Sequence, residues 1–370
     1  MTSRLVQEFL ELVQIDSETK HEEVIAPILM NKLEELGFEV VQDDAHTRNG
    51  HGAGNFIATL KGSLDVEPIY FTVHMDTVVP GKGIKPEIRE DGYIYSDGTT
   101  ILGADDKAGM AALFEMARRL KEQNIAHGTI QFIITAGEES GLVGAKELDP
   151  SQIIAKYGFA VDSNGKVGEI VVAAPYQARI EAKIIGKTAH AGVEPEKGIS
   201  AITLAAKAIA KMKLGRLDEE TTANIGRFEG GKATNIVCDE VFILAEARSI
   251  DEAKLNAQTA HMKDTFETVA QSLGGRAEVN VQVMYPGFRV TEADRVVQVA
   301  MEAARAVNRE PKLCISGGGS DANVIAGFGI PTVNLAVGYE EIHTTNERMP
   351  IEELEKLADY LVEIVKNTTK

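Results

Sequence analysis

The chain has 370 residues, of which 44% are hydrophobic and 25% charged, and a formal net charge of -18. That length exceeds what one hydrophobic core usually serves, so two domains are expected. The acidic balance argues against nucleic acid and anionic membrane as partners, since both select basic patches, and it suits a site where carboxylates hold cations. Cys238 and Cys314 form neither a CxxC pair nor a disulfide framework, which suits a reducing, cytoplasmic setting. The opening MTSRLVQEFLELVQI is not a signal peptide, and no apolar run approaches the ~18 residues needed to cross a bilayer.

In chain order, Leu5, Phe9, Leu12 and Val13 recur at helical spacing behind a Thr2/Ser3 cap. A second helix is expected over residues 21–36, stopped by Gly37. Next come the strand-like NFIATL and IYFTVH, a helix from about 106 to 122, then TIQFIIT and GFAVD. Alternation of this kind indicates an α/β layer structure with a mixed, mostly parallel sheet flanked by helices. Near residue 177 the texture changes. QARIEAKIIG alternates like a half-exposed strand, and a helix follows from about 198 to 213. Further strand-like runs, the helix DEAKLNAQTAHMKDTFETVAQSL and the alternating RAEVNVQVMY complete a four-stranded α+β unit. The expected division is a catalytic domain over 1–176 and 287–370, with a lid or dimerisation domain inserted at 177–286. An exposed strand edge of that unit would allow a homodimer by edge pairing.

The chemistry gathers at strand ends, where open α/β sheets bind ligands. IYFTVHMD ends on His74 and Asp76, which share a strand face, so Asp76 can orient the His74 ring. ILGADD ends on Asp105, TIQFIITAGEE on Glu138 and Glu139, and GFAVD on Asp162; His343 follows the apolar run PTVNLAV. Taken singly, a strand-end Asp is usually a cap or turn residue and a lone His usually a surface one. Taken together they supply two imidazoles and three carboxylates, about three ligands for each of two divalent ions if Asp105 bridges. Zinc accepts this donor mixture. Two such ions lower the pKa of a water between them and polarise a carbonyl. Glu138 can then shuttle the proton to a leaving amine. Asp106 is expected to cap the helix or orient its neighbours. His21, His46, His51, His127 and His261 read as surface residues.

FTVHMDT, ILGADDKAGM, TAGEESGLVGAKEL, FAVDSNG, GKTAHAG and SGGGSDAN…EIHTTNE together resemble the di-zinc exopeptidase family, which includes peptidase T-like tripeptidases and glutamate carboxypeptidase-type enzymes. The resemblance implies one zinc on His74, Asp105 and Asp162 and another on Asp105, Glu139 and His343, with cobalt or manganese as substitutes. It implies Glu138 as general base, Asp76 as the orienter of His74, and a cis peptide joining Asp105 to Asp106. His190, in the inserted domain, would reach the substrate carbonyl oxygen. Asn235 and Arg248 would bind the substrate carboxylate, which suits the planar fork of an Arg. Aspartate at 162 resembles the aminopeptidase branch. The expected activity is hydrolysis of short peptides, above all tripeptides, from the N-terminus. The alternatives are a carboxypeptidase or N-acyl-amino-acid amidohydrolase of the same architecture, or a catalytically silent peptide-binding protein.

Overall fold

The computed structural model describes residues 2–370, and its chain divides into two compact units. The first comprises residues 1–173, 289–316 and 320–370; the second comprises 174–288 together with Gly317–Gly319. No helix among the described residues is long and apolar enough to cross a membrane.

A mixed sheet forms the centre of the first unit. Its strand order is Glu39–Gln42, Phe56–Leu60, Ile130–Thr135, Ile69–His74, Tyr157–Ser163, Thr332–Ala336 and Glu169–Ala174, with Lys312–Ile315 beside the last. The four strands from Ile130–Thr135 to Thr332–Ala336 run parallel. Every residue of Ile69–His74 and Ile130–Thr135 is buried, as a sheet covered on both faces requires. Their register aligns Phe71 with Phe132 on one side and with Phe159 on the other. The rings follow, with centroids 5.4 Å apart in the stacked Phe71–Phe159 pair and 6.1 Å apart in the edge-on Phe71–Phe132 pair. Counting onward from these three aromatics, the chain reaches His74, Asp162 and the Glu138-Glu139 turn at one rim of the sheet.

Behind the strands lies the helix Ala104–Glu122, which packs on Arg4–Val13 and Ile351–Asn367. It is buried nearly all round and accordingly rich in Ala, Gly and Met. At Gly109 a Cβ would stand 2.5 Å from the carbonyl oxygen of Val161, so only glycine permits this approach of helix to strand. The first helix begins as expected, with Ser3 accepting from the Val6 amide. The second begins at Ile25 and not at 21, because Glu22 turns inward to accept from the amides of Lys20 and Gly52.

The second unit is an antiparallel sheet of four ten-residue strands and a short edge pair, ordered Gly215–Arg216, Thr221–Gly230, Glu240–Ser249, Tyr176–Ile185 and Arg276–Tyr285. Helices Ala201–Lys211 and Glu252–Ser272 cover one face, where Ala182, Ile184, Val241, Ile243 and Phe266 form the core. The alternation read in QARIEAKIIG is the period-2 pattern of that sheet.

Removing the ring that joins the three central strands should weaken the first unit most. Phe71→Ala is expected to cost about 3–5 kcal/mol, read as a lowered denaturant midpoint of that unit's transition. An unchanged midpoint would show that the aromatic ladder does not hold the strands together.

Candidate metal centre

The Gly103–Lys107 turn leads into the buried helix. Gly103 adopts a left-handed φ of 72°, and the Asp105-Asp106 peptide is cis. This turn places the Asp105 carboxylate between two imidazoles. Its Oδ1 lies 3.1 Å from His74 Nε2 and its Oδ2 lies 3.2 Å from His343 Nε2. His343 Nε2 is also 3.0 Å from Glu139 Oε1, and His74 Nε2 is 3.8 Å from Asp162 Oδ1. Two donors on a tetrahedral ion at ~2.0–2.2 Å stand roughly 3.3 Å apart, so these pairs, hydrogen-bonded to each other without an ion, stand near the spacing that ligands of one ion would take. His74, Asp105 and Glu139 form one group able to hold an ion, and His74, Asp106 and Asp162 form another.

The electrostatics of the rim favour positive charge among these carboxylates. Burial raises the carboxyl of Asp162, helped by the charge of Asp105, to well above the ordinary carboxylate range. Burial likewise pushes up Glu138 and Asp106. Asp105 goes the other way: burial opposes its charge, but hydrogen bonds from His343 and His74 outweigh that and hold it well below the usual range. Hydrogen bonds to Asp105 and Glu139 raise His343 to about 10. At His74 burial opposes the charge, yet Asp105 and Asp76 lift the imidazole well above its ordinary value. Protons therefore stand in for positive charge among carboxylates that could not otherwise remain ionised together.

Asp76 meets the His74 ring from two groups: Nδ1 is 2.8 Å from its main-chain oxygen and 3.5 Å from Oδ1 of the carboxylate expected to orient it. The same carboxylate also accepts the amides of Glu138 and Glu139, at 3.0 and 3.2 Å. Asp106, expected to cap the helix or orient its neighbours, makes no capping hydrogen bond, since both its carboxylate oxygens lack a partner. Its side chain is fully buried without a well-formed hydrogen bond, close to His74 and Asp162.

Other contacts went unread in the sequence. Asn334 accepts from the Asp162 amide at 3.0 Å and donates to its carbonyl at 2.9 Å. The Tyr339 hydroxyl donates to Asp162 Oδ1 at 3.2 Å. His51, read as a surface residue, is buried; its Nε2 lies 2.7 Å from Ser140 Oγ, and its ring packs so closely that a Cβ at Gly137 would stand 2.4 Å away. Asp321 is buried against Thr135. The one available signal was Asn334, a polar residue inside the apolar run PTVNLAV.

His190, Asn235 and Arg248 belong to the second unit. His190 and Asn235 are exposed on adjoining loops, joined by the Ala191 amide donating to the Asn235 carbonyl at 2.9 Å. Arg248 is half-buried, with Nε and Nη2 on the two oxygens of Glu246. Its Nη1 makes only long bonds, 3.4 Å to the Tyr285 hydroxyl and 3.3 Å to the Gly317 carbonyl.

Comparison with known proteins agrees with this geometry. Residues 70–367 match the peptidase family M20/M25/M40. The chain is 66% identical to the aminopeptidase PepT of Bacillus cereus ATCC 10987, with a TM-score of 0.96 over 99% of this chain and 98% of that one. It is 55% identical to a tripeptidase of Staphylococcus aureus Mu50, with a TM-score of 0.97 over the same shares. Peptidase T of Geobacillus sp. WCH70 is 27% identical, across 99% of this chain and 98% of its own. With four-fifths of its length inside the match and the acidic rim in place, the chain belongs to peptidase family M20/M25/M40.

Proposed function

We propose that this protein is a di-zinc aminopeptidase that releases the N-terminal residue of short peptides, tripeptides above all. The observation that carries the reading is Asp105, whose two oxygens face separate imidazoles as a carboxylate shared by two ions would. The aminopeptidase and tripeptidase among its relatives supply the choice of substrate, and aspartate at 162 fits the same branch.

In this reading His74, Asp105 and Asp162 hold one zinc, and Asp105, Glu139 and His343 the other. When bound, the pair would polarise the scissile carbonyl and make water a competent nucleophile at neutral pH. Glu138 takes the proton from that water and passes it to the leaving amine. Asp76 fixes the Glu138-Glu139 turn by its two amides, so that base and ligand point in different directions. His190 donates to the substrate carbonyl oxygen. Arg248 keeps Glu246 as its anchor and offers its Nη1 edge, together with Asn235, to the peptide carboxylate. The exposed edge strand Arg276–Tyr285 would serve a homodimer, and two free thiols fit the cytoplasm.

Glu138→Ala should retain both ions by elemental analysis and lose at least ~10²-fold in rate; undiminished turnover would remove Glu138 from its role. A free-amine tripeptide should be cleaved and its N-acetyl form refused. Preference for the acetylated peptide would instead make the protein an acyl-amino-acid amidohydrolase. Because the pKa values of His74 and His343 are both raised in the metal-free site, zinc must displace protons held more firmly than on an ordinary imidazole, and affinity should rise with pH. Calorimetry at pH 7.5 in buffers of differing ionisation enthalpy should register release of more than one proton. Binding without release would contradict the imidazole–carboxylate pairing.

A further inference from the structure

Glu347 lies four residues beyond His343 and is almost fully buried, at 1% exposure. Its carboxylate accepts three main-chain N–H groups, all from the turn that carries Asp105. Oε2 takes Leu102 at 2.7 Å and Gly103 at 2.8 Å, and Oε1 takes Asp105 itself at 3.1 Å. The loop that delivers His343 is closed at its base by paired main-chain bonds between Glu340 and Arg348, at 2.9 and 3.0 Å. Within it Glu341 and His343 both adopt positive φ, 55° and 63°, and Thr344 braces the inside by donating to the Glu341 carbonyl. Apart from its base, the exposed 341–346 segment has no strand or helix to fix its height above the sheet.

We propose that Glu347 is the positioning residue of the second metal site, fixing His343 and Asp105 relative to each other through one carboxylate. The inference rests on the two-ion reading above. His343 sits on an exposed loop, whereas Asp105 sits on a buried turn 238 positions earlier in the chain. A ligand pair drawn from such unlike segments keeps its spacing only if something rigid spans them. Glu347 spans them with three hydrogen bonds accepted by one buried carboxyl. Contacts behind a ligand commonly matter about 10–100-fold in metal affinity. The ion held by Asp105, Glu139 and His343 depends on both segments; the ion held by His74, Asp105 and Asp162 depends on only one of them.

The discriminating variant is Glu347→Gln. A glutamine has one acceptor oxygen, so either the Asp105 amide or the Leu102 and Gly103 amides would face an NH₂ group. Zinc is withdrawn from the full-length holoprotein by a graded chelator, and retained zinc is counted by elemental analysis. Wild type should lose its two ions close together. Glu347→Gln should lose one ion at about 10–100-fold higher free zinc and hold the other as wild type does. Excess zinc should restore kcat with KM unchanged. A general loss of packing would weaken both ions and would not be rescued by zinc. If Glu347→Gln does not fold, Glu347→Asp keeps the carboxyl one methylene shorter and should show the same one-ion loss. Two ions held at wild-type affinity in whichever variant folds would overturn the proposal. Failure of wild type to bind two ions would instead overturn the reading beneath it.

Discussion

Buried carboxylates repel one another, and this protein gathers several of them at the rim of one sheet. Asp105, Asp162 and Glu138 are embedded deeply enough that desolvation alone works against their charge. Nearby Lys107 is fully buried and donates to the Ile15 carbonyl, so its ammonium is not among the donors that reach the cluster. The two imidazoles pair with Asp105 and, through His343, with Glu139, which leaves Asp162 and Glu138 without a hydrogen-bonded cation. Such a cluster survives folding either by protonation or by binding cations, and its spacings are near those of donors around an ion. The remaining features of the first unit serve to keep these groups together despite their repulsion.

Two kinds of structure do that work. The parallel strands set coarse position: with Phe71, Phe132 and Phe159 in register, the residues that follow emerge at the same rim. Fine position comes from side chains that bond main-chain groups of the turns. Asp76 accepts the amides of Glu138 and Glu139, Asn334 engages the amide and carbonyl of Asp162, and Glu347 accepts three amides before and at Asp105. Each pins a candidate ligand by its backbone and leaves the ligand's side chain free to face the site. Main-chain amides are a sound choice of anchor, since a buried turn must satisfy them in any case.

The difference between these two kinds of structure explains what could be read from sequence. Parallel strands write themselves as apolar runs such as IYFTVH and TIQFIIT, and a His or Asp at the end of one is conspicuous against it. The candidate ligands were legible for that reason. Glu347 was not, although it lies within the quoted EIHTTNE, because a glutamate in a polar run looks solvated until its loop is seen to fold inward. His51 was missed for the same reason, since nothing local distinguishes HGAGN from an exposed loop. Asp76 shows a subtler limit. Period-2 geometry suggested its nearness to His74, but could not say that its carbonyl would also meet the ring or that its carboxylate would hold the neighbouring turn.

Asp162 shows how closely such framing can fit one side chain. Its amide and carbonyl are both committed to Asn334, so its Cα cannot shift along the strand. One carboxylate oxygen is already met by the hydroxyl of Tyr339, whose ring is itself buried. A glutamate at this position would carry its carboxylate one methylene further from a fixed backbone, into the space Tyr339 fills or past it. Close-packed interiors yield little to such an extension. The frame around residue 162 therefore suits the shorter acid, and a glutamate there would require rebuilding Asn334 and Tyr339 along with it.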